Sequence, residues 1–244
     1  MTANLNNKNA KKVLMVVANK AVSPITKWPV GFWAAELTHA WYEFTEAGYD
    51  IVIASPTGGK VEFDALSDPR DQSGYSKHDI ISMGFINTLD LMKKLDNTPR
   101  LKDLKEKEYD AIVVVGGQAP MITFKDEKQL QELFMQFYNA GKPSAALCHG
   151  TSLLLYLKNK DGTPFVKGKT MTGFADSEEK YAEEWAKMKI QPFWIETEAK
   201  KLGANFITGG MFKPFAIRDK NLITGQQQYS GRATAKLVIE ALGV

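Results

Sequence analysis

The sequence predicts an α/β fold: a doubly wound, mostly parallel sheet with helices on both faces. Three observations carry this expectation. Apolar runs at residues 13–17, 51–54, 111–115 and 144–147 are near-continuous rather than alternating, which is how strands read when helices cover both faces of a sheet. Helical patterns separate the runs, and strand alternating with helix builds a parallel sheet. The length of 244 residues suits one large domain with insertions better than two full domains of about 150 residues each.

A polar, Asn/Lys-rich tail over residues 1–11 leads into the first run, Val13-Leu-Met-Val-Val17. The tail has neither an apolar h-region nor a small-residue cleavage site, so it does not read as a signal peptide. Residues 32–48 carry the first helix, and Ile51-Val-Ile-Ala54 the next strand. Residues 64–107 then break the rhythm, with a helical pattern around 78–95 and a charged, proline-containing stretch at 96–107. After Ala111-Ile-Val-Val-Val115 comes a helix at 126–141, where Leu130, Leu133, Phe134, Phe137 and Tyr138 form one stripe and Gly141 closes it. Ser144-Ala-Ala-Leu147 is followed by a helical pattern at 151–157. Residues 172–203 read as one or two helices, with strands near 205–208 and 222–224 and a last helix near 231–242. The domain is therefore drawn over 12–244, with insertions near 64–107 and 174–203 placed to wall a site.

Composition removes several function classes. The 31 Lys/Arg against 28 Asp/Glu leave a net charge of +3, too small and scattered for a nucleic-acid protein. No apolar run approaches the roughly 18 residues of a spanning helix. The single cysteine, Cys148, excludes an intramolecular disulfide and fits a reducing compartment. The reading is a cytoplasmic protein with no nucleic-acid or membrane partner.

Ser144-Ala-Ala-Leu-Cys-His-Gly150 is the strongest local signal. A buried-type strand stops at Cys148, with Ala146 two residues before it and Gly150 two after. Small neighbours there permit a strained strand-to-helix elbow that lifts its central side chain above the sheet. A helix start beyond it would favour thiolate, although a buried core cysteine reads much the same way. Gly116 and Gly117, followed by Gln118, end the preceding strand, either as a tight turn or as backbone donors for an oxyanion. The histidines are His39, His78 and His149. None lies downstream of Cys148 except His149, which rules against a papain-like order and leaves spaced zinc ligands unsupported. Glu36 sits one turn into the first helix among apolar residues, where burial would raise its pKa; an ordinary helix glutamate is the alternative. Glu178 and Glu179 read from the pattern as a solvated helix face.

In order along the chain stand the helix start at Gly31–His39, Val115-Gly-Gly117, Ala146-Leu-Cys-His-Gly150 and Val166-Lys-Gly-Lys-Thr-Met-Thr-Gly-Phe174. Pro192-Phe-Trp-Ile-Glu196 with Lys201-Leu-Gly-Ala204, and Leu222-Ile-Thr-Gly225, complete the series. Together they resemble the PfpI/ThiJ superfamily, within the class I glutamine amidotransferase-like fold, and in particular its heat-shock chaperone and glyoxalase III branch. The resemblance implies a flavodoxin-like sandwich, a homodimer, and no cofactor or metal. It matches Glu36 to a carboxylate beside the elbow cysteine, His149 to a triad histidine and Glu179 to that histidine's acidic partner. The implied activity converts a small 2-oxoaldehyde such as methylglyoxal to lactate without glutathione. A cysteine hydrolase (peptidase, amidase or protein deglycase) and a stress chaperone or redox sensor are the alternatives. An amidotransferase would need a histidine near the C-terminus, and none is present. The chain departs from the branch at Gln118-Ala119 in place of His-Gly, at Ala40 in place of proline, and at Gln226-Gln-Gln-Tyr-Ser230.

Overall fold

The computed structural model describes residues 10–243; most of the predicted polar tail lies outside the described residues. The chain runs β1 (Lys12–Val16), β2 (Ala21–Val22), β3 (Pro29–Val30), α1 (Ala34–Glu46), β4 (Asp50–Ala54), α2 (Ile80–Ile86) and α3 (Leu89–Asp96). There follow β5 (Ala111–Val114), α4 (Pro120–Thr123), α5 (Lys128–Asn139), β6 (Ser144–Leu147), a 3-10 segment (Cys148–Tyr156), and β7 (Thr170–Met171). The remainder is α6 (Asp176–Ala186), α7 (Ile195–Lys201), β8 (Asn205–Phe206), β9 (Ala216–Asp219), β10 (Leu222–Gly225) and α8 (Gly231–Ala241).

Six strands form one sheet in the order β4-β1-β5-β6-β10-β9, parallel throughout except for β9. The near-continuous apolar strands have their explanation here, since β1, β5, β6 and β10 sit between neighbours with helices on both faces. On one face α1 and α8 pack together, burying Leu37, Phe44, Ala235 and Val238 against Val13, Val113 and Ile223. On the other face α5 lays down Leu130, Leu133, Phe134 and Phe137 against Ile112 and Val114. Burying such side chains fully stabilises by about 1.5–3 kcal/mol each, so the period of the α5 stripe decides which helix face meets the sheet.

The order of strands matters for function. From β1 the chain goes to β4 on one side, then crosses back to β5 on the other. In doubly wound sheets, ligands bind outside the carboxyl ends of the strands at such a reversal. The start of α1, the turn after β5 and the elbow after β6 all open onto that crevice.

Three local features differ from the sequence expectation. The strand near 205–208 does not enter the main sheet: β8 pairs with β7 in a separate two-stranded unit. β9 has no counterpart in the sequence reading, because Ala216-Ile-Arg-Asp219 carries a single large apolar residue. It forms by antiparallel pairing with β10, around a turn that holds Lys220 at φ 58°. The helical pattern at 78–95 splits into α2 and α3, with the Asp79 side chain accepting the Ser82 N–H at 3.1 Å to start the first. Among the described residues no helix is long and apolar enough to cross a membrane.

Candidate active site

Cys148 follows β6 directly and has φ 53°. A non-glycine residue in the left-handed region costs about 1–3 kcal/mol and persists only where its surroundings enforce it. Those surroundings are visible at Gly150, where an added Cβ would stand 2.8 Å from the Val114 carbonyl oxygen. The elbow can press against β5 only because Gly150 carries no side chain. The 3-10 segment Cys148–Tyr156 continues from it in place of the expected α-helix.

Glu36 enters the same space from the first turn of α1 and is fully buried. Its Oε2 accepts the Gly116 N–H at 2.7 Å, while Oε1 has no hydrogen-bond partner of good geometry among the described residues. A Cβ on Gly116 would lie 2.7 Å from Glu36 Oε2 and 2.9 Å from Cys148 Cβ. The missing side chain is what lets carboxyl, turn and cysteine meet. Burial drives the Glu36 carboxyl up to about 8, against the lowering pull of the Cys148 thiol, the Gly116 N–H and His149. Burial also pushes the Cys148 thiol well up, and Glu36 adds to this; the His149 N–H pulls the other way. The thiolate character expected from a helix start is therefore opposed by the site's own burial, which favours the neutral forms of Glu36 and Cys148.

His149 is buried, and its Nε2 lies 2.8 Å from Glu179 Oε1. Its ring leans on Phe174 at 4.3 Å between centroids. Burial pushes the imidazole down, but Glu179, with Glu36 and Asp64 further off, outweighs that and leaves it above its ordinary value. Glu179 is raised by its own burial despite the histidine. The structure thus brings Cys148, His149, Glu36 and Glu179 into one buried cluster.

The turn after β5 is tied on both sides. Gly116 N–H is engaged by Glu36, and Gln118 N–H donates to Asp64 Oδ2 at 2.6 Å. Gly117 N–H has no protein acceptor among the described residues. Gly117 has φ 112°, and a Cβ there would meet the Phe32 Cα at 2.6 Å. The Gln118 amide oxygen accepts from Gln191, which reaches over from the segment after α6. A cavity of about 300 Å³ stands over Cys148, His149, Gln118 and Phe174, at the low end of the range for small-molecule sites. A roomier apolar groove near Met121, Tyr156 and Phe193 holds none of these groups.

Sequence reasoning missed Asp64, Ser67 and the role of Glu178. Asp64 is buried and accepts Gly31 N–H at 2.8 Å as well as Gln118 N–H, so one carboxylate ties the entry of α1 to the β5 turn. Burial holds its pKa up at about 6, against both backbone N–H groups. Ser67 accepts the Ala34 N–H at 3.0 Å. Nothing in the irregular stretch around Asp64 signals this, since its partners are distant in the chain. Glu178 corrects the solvated-face reading. It is fully buried, with Oε1 accepting from Phe212 N–H at 2.8 Å and Gln226 Nε2 at 2.9 Å, and Oε2 accepting from Ala175 N–H. The helix α6 turns this end inward because the loop at 212 and the segment after β10 fold over it.

This geometry can be set beside known proteins. Glyoxalase 3 of Candida albicans is 30% identical over 216 residues, covering 86% of this chain and 89% of that protein. A glutathione-independent glyoxalase of Saccharomyces cerevisiae is 28% identical, covering 87% and 89%. Among solved structures, Rapid Encystment Protein 24 kDa of Francisella tularensis superposes with a TM-score of 0.85 at 27% identity, covering 96% of this chain and all of that one. The crystal structure of glyoxalase III from Candida albicans gives 0.78 at 27% identity, covering 95% and 97%. A family model described as DJ-1/PfpI matches residues 28–241, a span that holds the whole cluster of Glu36, Gly116, Cys148, His149 and Glu179, and the chain belongs to the DJ-1/PfpI family.

Proposed function

We propose that the protein is a glutathione-independent glyoxalase that converts a 2-oxoaldehyde and water to a 2-hydroxy acid. The observation that carries this is a buried carboxyl with a pKa of about 8 beside the elbow cysteine, together with relatives named as glyoxalases. A carboxyl titrating near neutral pH can both give and take a proton there.

Cys148 Sγ bonds to the aldehyde carbon as the S–H bond breaks, and the thiol proton reaches the aldehyde oxygen through the Glu36 carboxyl, which takes one proton and gives up another, leaving a hemithioacetal. The hydrogen on that carbon is then removed as a proton and delivered to the neighbouring ketone carbon through an enediol. The first carbon is thereby oxidised to a thioester and the second reduced to an alcohol, so no external oxidant or reductant enters. Water cleaves the thioester, releasing the 2-hydroxy acid and restoring the thiol. Gly117 and His149 N–H groups hold the developing oxyanion, Gln118 contacts the substrate's second oxygen, and Glu179 orients His149. We further propose that the protein is a homodimer, which light scattering on the purified chain tests, and that it is cytoplasmic, which cell fractionation tests.

The deciding experiment incubates purified protein with methylglyoxal in the absence of glutathione and identifies the product. Lactate formed by the wild type and not by Cys148→Ser supports the reading. Absence of lactate, or lactate formed equally by both, overturns it.

A further inference from the structure

The reacting part of a 2-oxoaldehyde needs only the floor of the cavity, where Cys148, His149 and Gln118 stand. The walls are built from rings. Trp33 and Tyr75 meet edge-to-face at 6.0 Å, and Tyr181 and Phe212 meet edge-to-face at 5.4 Å. Trp185 and Tyr229 also line the cavity. Among the described residues, no Asp, Glu, Lys or Arg side chain lines the space. Tyr181 keeps 52% of its surface exposed and Trp185 63%, a concentration of apolar surface of the kind that marks a binding site. These rings line the same cavity as Cys148.

We propose that this pocket selects 2-oxoaldehydes carrying an aromatic substituent, arylglyoxals in chemical class, over methylglyoxal. The inference rests on the glyoxalase reading above. A methyl group beyond the two carbonyls leaves the rings in contact with water, whereas an aryl substituent can meet them in offset or T-shaped contact. Contacts to such a remote, non-reacting group orient the carbonyls and raise transition-state binding. A substituent ending in carboxylate or phosphate would lose its hydration against aromatic walls that offer no lysine or arginine among the described residues. A single extra methylene in an apolar pocket changes discrimination about tenfold or more, so a phenyl ring in place of methyl should raise kcat/KM at least about tenfold.

The test measures kcat/KM of the full chain for phenylglyoxal and methylglyoxal, without glutathione, identifying mandelate and lactate and subtracting a Cys148→Ser blank. The expected ratio favours phenylglyoxal by about tenfold or more. Trp185→Ala and Tyr181→Ala, both at exposed positions, should move the ratio toward one. Tyr42→Ala, a half-exposed tyrosine on α1 outside the cavity, should leave it unchanged. Methylglyoxal turned over as well as or better than phenylglyoxal overturns this inference and leaves the glyoxalase reading standing. Turnover of neither overturns both. A ratio unmoved by Trp185→Ala and Tyr181→Ala overturns the assignment to these walls.

Discussion

Glu36→Gln separates a buried, proton-holding carboxyl from an ordinary helix glutamate. In the folded protein the carboxyl titrates at about 8, against 4.5 when free. A raised carboxyl pKa means the folded state holds a proton that the unfolded state has released between those values. Stability therefore falls as pH rises through that window, being greatest below 4.5. Each pH unit well inside it costs about 1.4 kcal/mol and less at its ends, so wild type should lose about 3–4 kcal/mol through this one group between pH 5 and pH 8. Glutamine keeps the acceptor for the Gly116 N–H and cannot ionise, so the variant escapes the loss. Urea unfolding of both proteins at pH 5, 6, 7 and 8 measures it: titrations remote from Glu36 are common to both and cancel, and the difference reports Glu36 together with the His149 and Cys148 titrations coupled to it. The variant should gain on wild type by several kcal/mol across the series while its turnover drops about 10²–10⁴-fold, the size of an acid–base contribution. Parallel stability profiles would refute the buried-proton argument, and unchanged turnover would remove Glu36 from the mechanism.

Glu179→Gln should lower the His149 pKa, since burial then acts with its main counter-charge gone, and lower kcat; titration of the imidazole by NMR checks the first and steady-state kinetics the second. Glu178→Gln places an amide NH2 among donors from Phe212, Gln226 and Ala175, and should cost about 1–3 kcal/mol, read as a lower urea midpoint. Asp64→Asn cannot accept from both Gly31 and Gln118 N–H groups. It should lose a similar amount of stability and also kcat, since the β5 turn loosens; a fall in stability with kcat intact would limit Asp64 to a structural role.

The sequence by itself determined the strands that helices cover on both faces, because their apolar runs leave no solvent-facing side. It also determined the Cys148 elbow, because only small residues at Ala146 and Gly150 let a strand turn so sharply. The α5 stripe was legible for the same kind of reason: its period is a local property of the chain. What tertiary structure alone decided is which polar groups are buried together. Glu178 and Glu179 are adjacent and chemically identical in the sequence, yet one satisfies three backbone and amide donors while the other holds the imidazole of His149. The sheet edge β9 exists only through its pairing with β10. Asp64 gained its place from two N–H groups 33 and 54 residues away. Local pattern reports which face of an element is apolar, whereas the pKa and partners of a buried carboxyl depend on what distant segments bring against it.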